Sequence, residues 1–368
     1  MSGYAAQRLT SLSGLITGMI HTGSSHLSKI GTGLPQPINA LSKETHAKRF
    51  LENRHVGIQV HYLPYLKQFL LAFLCKKGNI DTKQNIYVIV DGSQTGSKHV
   101  TLMLSLVVAN QAIPLFWVVR KGKKGHFPTE MHLDVVGNGI QMLQQMLASL
   151  SIDAAICLLG DGEFDSVELQ LLCRNTLKID YVLRTAIDSV LYDEGDKISP
   201  KFIHHTHRST GKKRSFFIPN IEFSNTKLEK VHFLYWFDAK KYKDPLFLIS
   251  SLDNAPDIKY AYALRFRIET MFKDFKSRGF NLHKNRLDEI QAITNLIIVA
   301  ALSFCIILNF GDENEDNPIK IKVQRIDKKI NSKFTYARLL FQYCQDEDIN
   351  IPIIDNKQFV ECLAEIKT

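Results

Sequence analysis

The sequence is poor in cysteine and lacks the spacings that build a disulfide framework or a zinc site. Six cysteines are scattered among 368 residues, mostly in apolar runs, and none forms a C-x-x-C pair. We therefore expect reduced cysteines in the core of a cytoplasmic protein. The histidine-rich segment 204–207 has no complete set of partner ligands beside it, which argues against a metal site there. The chain does not open with a charged segment followed by a clean apolar one, so we expect no signal peptide.

Acidic residues are the scarcer charged group, since 37 Asp and Glu stand against 46 Lys and Arg, for a net charge of +9. This balance favours a polyanionic partner without proving one, because many basic proteins bind no nucleic acid. Hydrophobic runs long enough to cross a membrane are also scarce. The most apolar run, residues 292–310, is interrupted by Thr294, Asn295 and Ser303, so we expect a buried core helix and no membrane partner.

Two apolar runs each end abruptly at an aspartate. The run IYVIVDGSQTG leads to Asp91, and the run AAICLLGDGEF leads to Asp161. Short apolar runs bounded by turn residues predict buried β-strands. Acids at the carboxyl ends of neighbouring strands lie where open α/β folds place their binding sites, although a lone acid in such a place is usually a turn residue.

A third acid lies in the segment YALRFRIETMFKDFK, residues 262–276. Treated as one helix of about 100° per residue, this segment brings Tyr262, Arg265, Glu269 and Lys276 into one narrow stripe. Its apolar residues gather on another side, as expected for a helix packed on a core. On its own, the stripe is also explained by a solvated face with i,i+3 and i,i+4 charge pairs. Together with the two strand-end aspartates, however, Glu269 completes a three-carboxylate set of the kind that holds two magnesium ions.

The order Tyr-x-x-Arg-x-x-x-Glu, then six residues and a lysine, resembles a family motif. It is similar to the Y-R-E-K signature of bacterial DDE insertion-sequence transposases, which belong to the ribonuclease-H-like, retroviral integrase superfamily. Asp91 and Asp161 fall where that family keeps its first two acids. The resemblance extends from about residue 86 to residue 276, most of the middle of the chain.

The resemblance implies an α/β fold: a ribonuclease-H-like mixed sheet with a β-rich insertion before the third acid, plus a helical N-terminal domain. The hydrophobic pattern agrees, because it predicts three strands, a helix, a strand, a helix and a fifth strand up to residue 183. In that fold the first and fourth strands are parallel neighbours, which would bring Asp91 and Asp161 together. The expected domains are 1–80 for DNA-end binding, 81–186 with 247–310 for catalysis, 187–246 as the insertion, and 311–368 as a helical C-terminal region with helices near 336–343 and 359–366.

The resemblance also implies an activity, namely metal-dependent cleavage and strand transfer of DNA at insertion-sequence ends by cut-and-paste transposition. The catalytic residues, which would hold two Mg²⁺ ions or Mn²⁺ in their place, are Asp91, Asp161 and Glu269. The residues that would contact DNA are Tyr262, Arg265, Lys276, Trp236 and Lys273. The implied partners are double-stranded DNA, both terminal inverted repeats and target, and a second copy of the chain in the DNA complex. The implied location is the bacterial cytoplasm, at the nucleoid.

Several assignments leave an alternative open. The N-terminal helices, one of them expected to be capped by Ser42, suit a helix-turn-helix-like DNA reader and equally a plain bundle that supports the catalytic domain. Trp236 lies on the half-polar face of a predicted strand, where it could stack on a base or simply pack. The function has two alternatives: a structure-selective nuclease of the same fold, and a domesticated DNA-binding protein without catalysis. Intact acids at all three places argue against the second.

Overall fold

The part of the chain that the structure describes is built on a ten-stranded mixed sheet. The computed structural model describes residues 3–76, 84–123, 127–207, 214–224, 229–238, 240, 242–325, 327 and 331–349. The strands are β1 (Gln84–Gln94), β2 (His99–Val108), β3 (Gln111–Lys121), β4 (Ala154–Gly160), β5 (Asp180–Arg184), β6 (Leu191–Asp193), β7 (Asp196–Ile198), β8 (Arg214–Phe223), β9 (Glu229–Phe237) and β10 (Leu246–Ser250). Their order across the sheet is β3-β2-β1-β4-β5-β10-β9-β8-β6-β7. The predicted mixed α/β fold is confirmed.

The first five strands have the order and the directions of a ribonuclease-H-like sheet. β1, β2 and β3 are antiparallel neighbours, whereas β1, β4 and β5 run parallel. The β2–β3 hairpin closes through Ala109 and Asn110, whose φ angles of 47° and 63° are both positive. Such a pair of left-handed residues matches the twist of the two strands. The predicted order of strands and helices is confirmed here, including the parallel pairing of β1 with β4.

Helices cover both faces of this half of the sheet. α6 (Thr129–Ser149) packs on β2 and β3, and α11 (Ile290–Glu313) also packs on β3. Adjacent residues of β3 show that the two helices lie on opposite faces. Phe116 lies beside Gly139 of α6, whereas the Trp117 indole N–H donates to the Thr294 carbonyl oxygen of α11 at 3.3 Å. The sheet therefore has an apolar core on each face, and this fixes the positions of its strand ends.

The segment before the third acid extends the same sheet. β10 pairs antiparallel with β5, and β9, β8, β6 and β7 follow in turn. The runs FIPNIEF, VHFLYWFD and PLFLISSL, predicted to be strands, are found in β8, β9 and β10. The remaining helices between β4 and α11 are α7 (Val167–Leu171), which continues as a π-helical segment to Leu177, α8 (Pro200–His207), α9 (Ala255–Leu264) and α10 (Phe266–Phe275). Of these, α7 connects β4 to β5, and α10 packs on β3 and β1. The exact limits of the insertion stay a prediction.

The N-terminal helices are α1 (Tyr4–Thr22), α2 (Leu27–Ile30), α3 (Ala40–Leu51), α4 (Ile58–His61) and α5 (Leu63–Lys76). Among them, α1, α3 and α4 pack on α11. Asn39 caps α3, because its side chain accepts the Ser42 N–H at 2.8 Å, so the expected cap at Ser42 is wrong by one turn. The end of α3 is fixed by Asn295 of α11, whose amide donates to the Leu51 carbonyl oxygen at 2.7 Å. These contacts fit a supporting role, and the DNA-end-binding role stays a prediction.

α11 is the core helix expected from the apolar run. It is long and apolar enough to cross a membrane, but 83% of its most apolar window is buried inside the protein. Among its polar residues, Asn295 and Ser303 are fully buried with it. α12 (Lys333–Asp346) packs against α11 and accounts for the helix predicted near 336–343. The helix predicted near 359–366 lies outside the described residues.

Candidate active site

The two aspartates occupy the same register position on parallel neighbours, but only Asp161 follows the end of its strand. The expected end of the first strand at Asp91 is wrong, because β1 continues to Gln94 by pairing with β2. Ile89 of β1 pairs with Leu159 of β4, and Asp91 and Asp161 each follow two residues later. The apolar residues before them are fully buried in both strands, so the register is firmly held. The sequence prediction that these two acids become neighbours is therefore met by the pairing of the strands that carry them.

The segment that carries Glu269 is two helices and not one. α9 ends at Leu264 and α10 begins at Phe266, and at Arg265 the backbone makes tighter hydrogen bonds. The Arg265 N–H donates to the Tyr262 carbonyl oxygen at 3.1 Å, and the Ile268 N–H donates to the Arg265 carbonyl oxygen at 3.2 Å. α10 also ends before Lys276. The continuous stripe predicted from an ideal helix is therefore wrong in detail, because bonds between residues three apart tighten the turn at its centre.

Arg265 lies between two of the predicted acids. Its Nη1 atom is 3.5 Å from Asp91 Oδ2, and its Nη2 atom is 2.5 Å from Glu269 Oε1. The arginine is only 7% exposed, and its guanidinium lies over the ring of Phe266 at 4.9 Å and near that of Tyr262 at 5.8 Å. One buried cation thus bridges the strand acid and the helix acid. The sequence predicted that these residues share a site, but not that the arginine pairs with Asp91.

The ionised form of Asp91 is disfavoured in this position. Burial, and then the neighbouring charge of Asp161, raise the pKa of Asp91 from 3.8 to about 7. Arg265 and the Gly92 N–H, which donates to Asp91 Oδ1 at 2.7 Å, oppose that rise in pKa without cancelling it. The charged form of Asp91 is therefore disfavoured even beside Arg265, and a divalent cation at this position would stabilise it.

The turn after β4 contains two further acids that the sequence analysis missed. The Glu163 N–H donates to Asp161 Oδ1 at 3.0 Å. Asp165 accepts a hydrogen bond from the Thr185 hydroxyl at 2.6 Å, and burial raises the pKa of this acid. The sequence feature that could have revealed these two acids is the run DGEFD, residues 161–165, in which acids alternate with other residues directly after a buried strand. That pattern places several carboxyl groups at one edge of the sheet.

The predicted DNA-contacting residues are spread over different surroundings. Tyr262 is 1% exposed, so in this conformation it packs beside Arg265 and leaves almost no surface for a DNA backbone. Lys273 is exposed on α10, and Lys276 follows the end of that helix and is half-buried. Trp236 of β9 is half-buried and packs edge-on against Tyr242 at 5.2 Å, which is the packing alternative left open by the sequence.

The three predicted carboxylates are chemically suited to a divalent cation. Carboxylate oxygens are the ligands that Mg²⁺ and Mn²⁺ prefer, and burial of Asp91 beside Asp161 creates a need for positive charge. Within the described ranges, however, no three acidic, histidine or cysteine side chains are grouped closely enough to hold an ion. Glu269 is bound to Arg265 instead. The three-carboxylate cage predicted from the sequence is thus not assembled in this conformation.

Sequence comparison matches this chain to a known protein family. The sequence model of the family described as "Transposase DDE domain" matches residues 122–306, which is half of the chain. The matched range includes Asp161, Arg265 and Glu269 but begins after β3, so Asp91 is placed by its strand and not by the match. Members of such a family are DNA-acting enzymes that generally use divalent metal ions. A sequence comparison with curated proteins finds no match.

Solved structures show only distant likeness. Human endonuclease V is 10% identical, with 58% of this chain and 100% of its own covered and a TM-score of 0.31. Endonuclease V of Ciona intestinalis, bound to a 23mer DNA containing an inosine followed by a ribo-adenosine, is 10% identical, with 56% and 98% covered and a TM-score of 0.30. Aquifex aeolicus Argonaute is 12% identical, with 59% and 29% covered and a TM-score of 0.26. The ribonuclease-H-like assignment therefore depends on strand order and direction.

Proposed function

The chain belongs to the transposase DDE domain family, and from this premise we propose that it performs cut-and-paste transposition. It would cleave DNA at the ends of an insertion sequence and join those ends to a target. The observation that carries the proposal is the placement of three acids. Asp91, within β1, and Asp161, directly after β4, share one register position on parallel neighbours, and Glu269 contacts the same arginine that lies beside Asp91.

We assign the three acids as ligands for two Mg²⁺ ions, with Mn²⁺ as a substitute. Bound there, the ions would make water or a 3′-hydroxyl group a better nucleophile and would stabilise the leaving oxygen. The residues of the chain bind and orient the DNA. Asp91 and Asp161 are held by the strand register, whereas Glu269 joins them only after its contact with Arg265 Nη2 is released. The guanidinium group is then available for a phosphate oxygen, where charge develops near the scissile bond.

The proposed DNA contacts extend outward from this arginine. Lys273 and Lys276 lie on and after α10 and would bind phosphate groups, so the affinity for DNA should fall steeply with salt. Tyr262 would act by packing beside Arg265, because it is buried. Trp236 would contact DNA only if its packing on Tyr242 opens. Terminal repeats and target DNA as substrates, a second copy of the chain in the complex, and location at the nucleoid belong to the same proposal.

A cleavage assay with the terminal repeats that flank this gene tests the proposal. Asp91→Asn, Asp161→Asn and Glu269→Gln should each abolish metal-dependent products while DNA binding survives. Glu168→Gln is a matched control, since Glu168 is an exposed acid in the first turn of α7. Cleavage by Glu269→Gln at the wild-type rate would refute the assignment. A wild-type protein that cuts DNA but never joins the ends would be a nuclease of the same fold.

A further inference from the structure

Glu163 links the turn after β4 to the segment that precedes α6. Its Oε1 atom accepts the Phe127 N–H at 2.5 Å and lies 3.5 Å from His132 Nε2. His132 is 2% exposed and Phe127 is 6% exposed, so both contacts are buried. At the same time the Glu163 N–H donates to Asp161 Oδ1 at 3.0 Å. One residue therefore holds the start of α6 with its side chain and the carboxylate of Asp161 with its backbone.

Phe127 connects Glu163 to the backbone beside Asp91. Its ring lies against Gly92, so closely that a Cβ atom on Gly92 would be 2.5 Å from the ring. Gly92 in turn donates its N–H to Asp91 Oδ1 at 2.7 Å. The centre of the Phe127 ring also lies 4.7 Å from the guanidinium carbon of Arg120. A continuous set of contacts thus runs from Asp161 through Glu163 and Phe127 to the backbone that orients Asp91.

We propose that Glu163 is a positioning residue that sets the geometry of Asp91 and Asp161. The inference builds on the proposed function, because it concerns how the same two acids receive a cation. Glu163 acts through its neighbours: its Oε1 atom accepts the Phe127 N–H and lies 3.5 Å from His132 Nε2, and the ring of Phe127 packs against Gly92. In this role Glu163 orients the two acids and does not bind the ion itself, and its Oε1 atom accepts the Phe127 N–H. Residues that orient metal ligands in this indirect way typically change metal affinity or activity by about 10- to 100-fold when removed.

Two substitutions separate positioning from a charge or ligand role. Glu163→Ala removes the acceptor, whereas Glu163→Gln keeps an acceptor oxygen of the same reach without the charge. We expect Glu163→Ala to weaken calorimetrically measured Mn²⁺ binding about 10-fold or more and to expose the Phe127 amide to hydrogen exchange in the metal-free protein. Glu163→Gln should keep Mn²⁺ affinity within about threefold of wild type and keep that amide protected. Cleavage with saturating DNA should follow Mn²⁺ affinity across the series.

A control variant excludes a simple effect on the helix. Glu130 is an exposed acid in the first turn of α6, so Glu130→Ala removes a carboxylate from the same helix end without touching the turn after β4. It should leave Mn²⁺ affinity and Phe127 exchange unchanged. Equal loss of Mn²⁺ affinity in Glu163→Gln and Glu163→Ala would overturn positioning in favour of a ligand or charge role. Unchanged exchange and affinity in Glu163→Ala would also overturn it, even if wild type cleaves and Glu269→Gln does not, so the inference can fail while the proposed function stands.

Discussion

Replacing Arg265 with glutamine should destabilise the metal-free protein. The arginine is 7% exposed, with Nη1 3.5 Å from Asp91 Oδ2 and Nη2 2.5 Å from Glu269 Oε1. Two unit charges 3.5 Å apart attract by about 5 kcal/mol at an effective dielectric constant of 20. The side chain of Glu269 is 40% exposed, so solvent reduces the value of that pair to about 1 kcal/mol or less. The loss is therefore dominated by Asp91, and we expect about 3 kcal/mol at about pH 8, the lower end of the cost of breaking a buried pair.

This loss should shrink as the pH falls. Arg265 lowers the pKa of Asp91, which burial and Asp161 have raised to about 7. Without the guanidinium group, the pKa of Asp91 rises further, and below about pH 7 the carboxyl group is protonated in both proteins. A neutral carboxyl group needs no counter-ion. The difference in free energy of unfolding between wild type and Arg265→Gln is therefore greatest above the pKa of Asp91 in both proteins and fades towards about pH 5.

Urea unfolding in the presence of a chelator, at about pH 8 and about pH 5, measures this difference, and Mn²⁺ titration completes the test. Because the cation no longer competes with a guanidinium group, the Mn²⁺ dissociation constant should fall about tenfold, or about 1.4 kcal/mol. Arg267→Gln is the matched control: among the contacts of the described residues, Arg267 of α10 pairs with none of the three acids. If both variants unfold at the same urea concentration, or Arg265→Gln binds Mn²⁺ with wild-type affinity, Arg265 is not the counter-ion of this site.

Three further changes test the site and its supports. Asp91→Asn should stabilise the metal-free protein at about pH 8 by at most about 4 kcal/mol. The raised pKa of Asp91 favours folding below pH 3.8, and this contribution to the free energy of unfolding is lost as the pH rises through about 7. A gain in stability that did not fade towards about pH 4 would contradict this sign. Asn295→Ala should lower the free energy of unfolding in urea by about 1–3 kcal/mol, because it removes the donor to the carbonyl oxygens of Leu51 and Asn53 at the end of α3. An unchanged urea midpoint would show that α3 does not depend on α11. Gly279→Ala should lower the melting temperature, since a Cβ atom there would lie 2.2 Å from the Asp274 carbonyl oxygen and 2.7 Å from the Phe334 ring; a wild-type melting temperature would mean that this contact relaxes freely.

The parts of the fold that sequence predicted are those set by local pattern. The apolar runs that lead to Asp91 and Asp161 are long and uninterrupted, so both strands follow directly from the sequence. The end of β4 also follows, whereas β1 continues past Asp91 to Gln94 because it stays paired with β2. The helical periodicity after Met131 and the apolar length of α11 are equally local. Once five strands and two helices are in this order, few sheet arrangements remain, and the pairing of β1 with β4 is one of them.

What sequence could not predict depends on contacts between distant segments. An ideal helix over residues 262–276 has no reason to tighten at Arg265, but in the folded protein this guanidinium is paired with a buried carboxylate from β1. The role of Glu163 likewise requires that Phe127, far from it in the chain, bring its N–H to the turn after β4. The N-cap of α3 was misplaced for a simpler reason, since Asn39 and Ser42 are both good caps and only one begins the helix.

The candidate site is assembled against an electrostatic cost, and the apolar core is what makes this possible. Burial raises the pKa of Asp91, and the charge of Asp161 at the same register position raises it further, because the two carboxylates repel each other. The two strands hold them side by side, because Val88, Ile89, Leu158 and Leu159 are all 0% exposed and pack into the apolar cores on the two faces of the sheet. Protonation of Asp91 or a nearby cation relieves this repulsion. Arg265 supplies part of that positive charge, and under the proposed function Glu269 is the acid that must leave Arg265 to join Asp91 and Asp161.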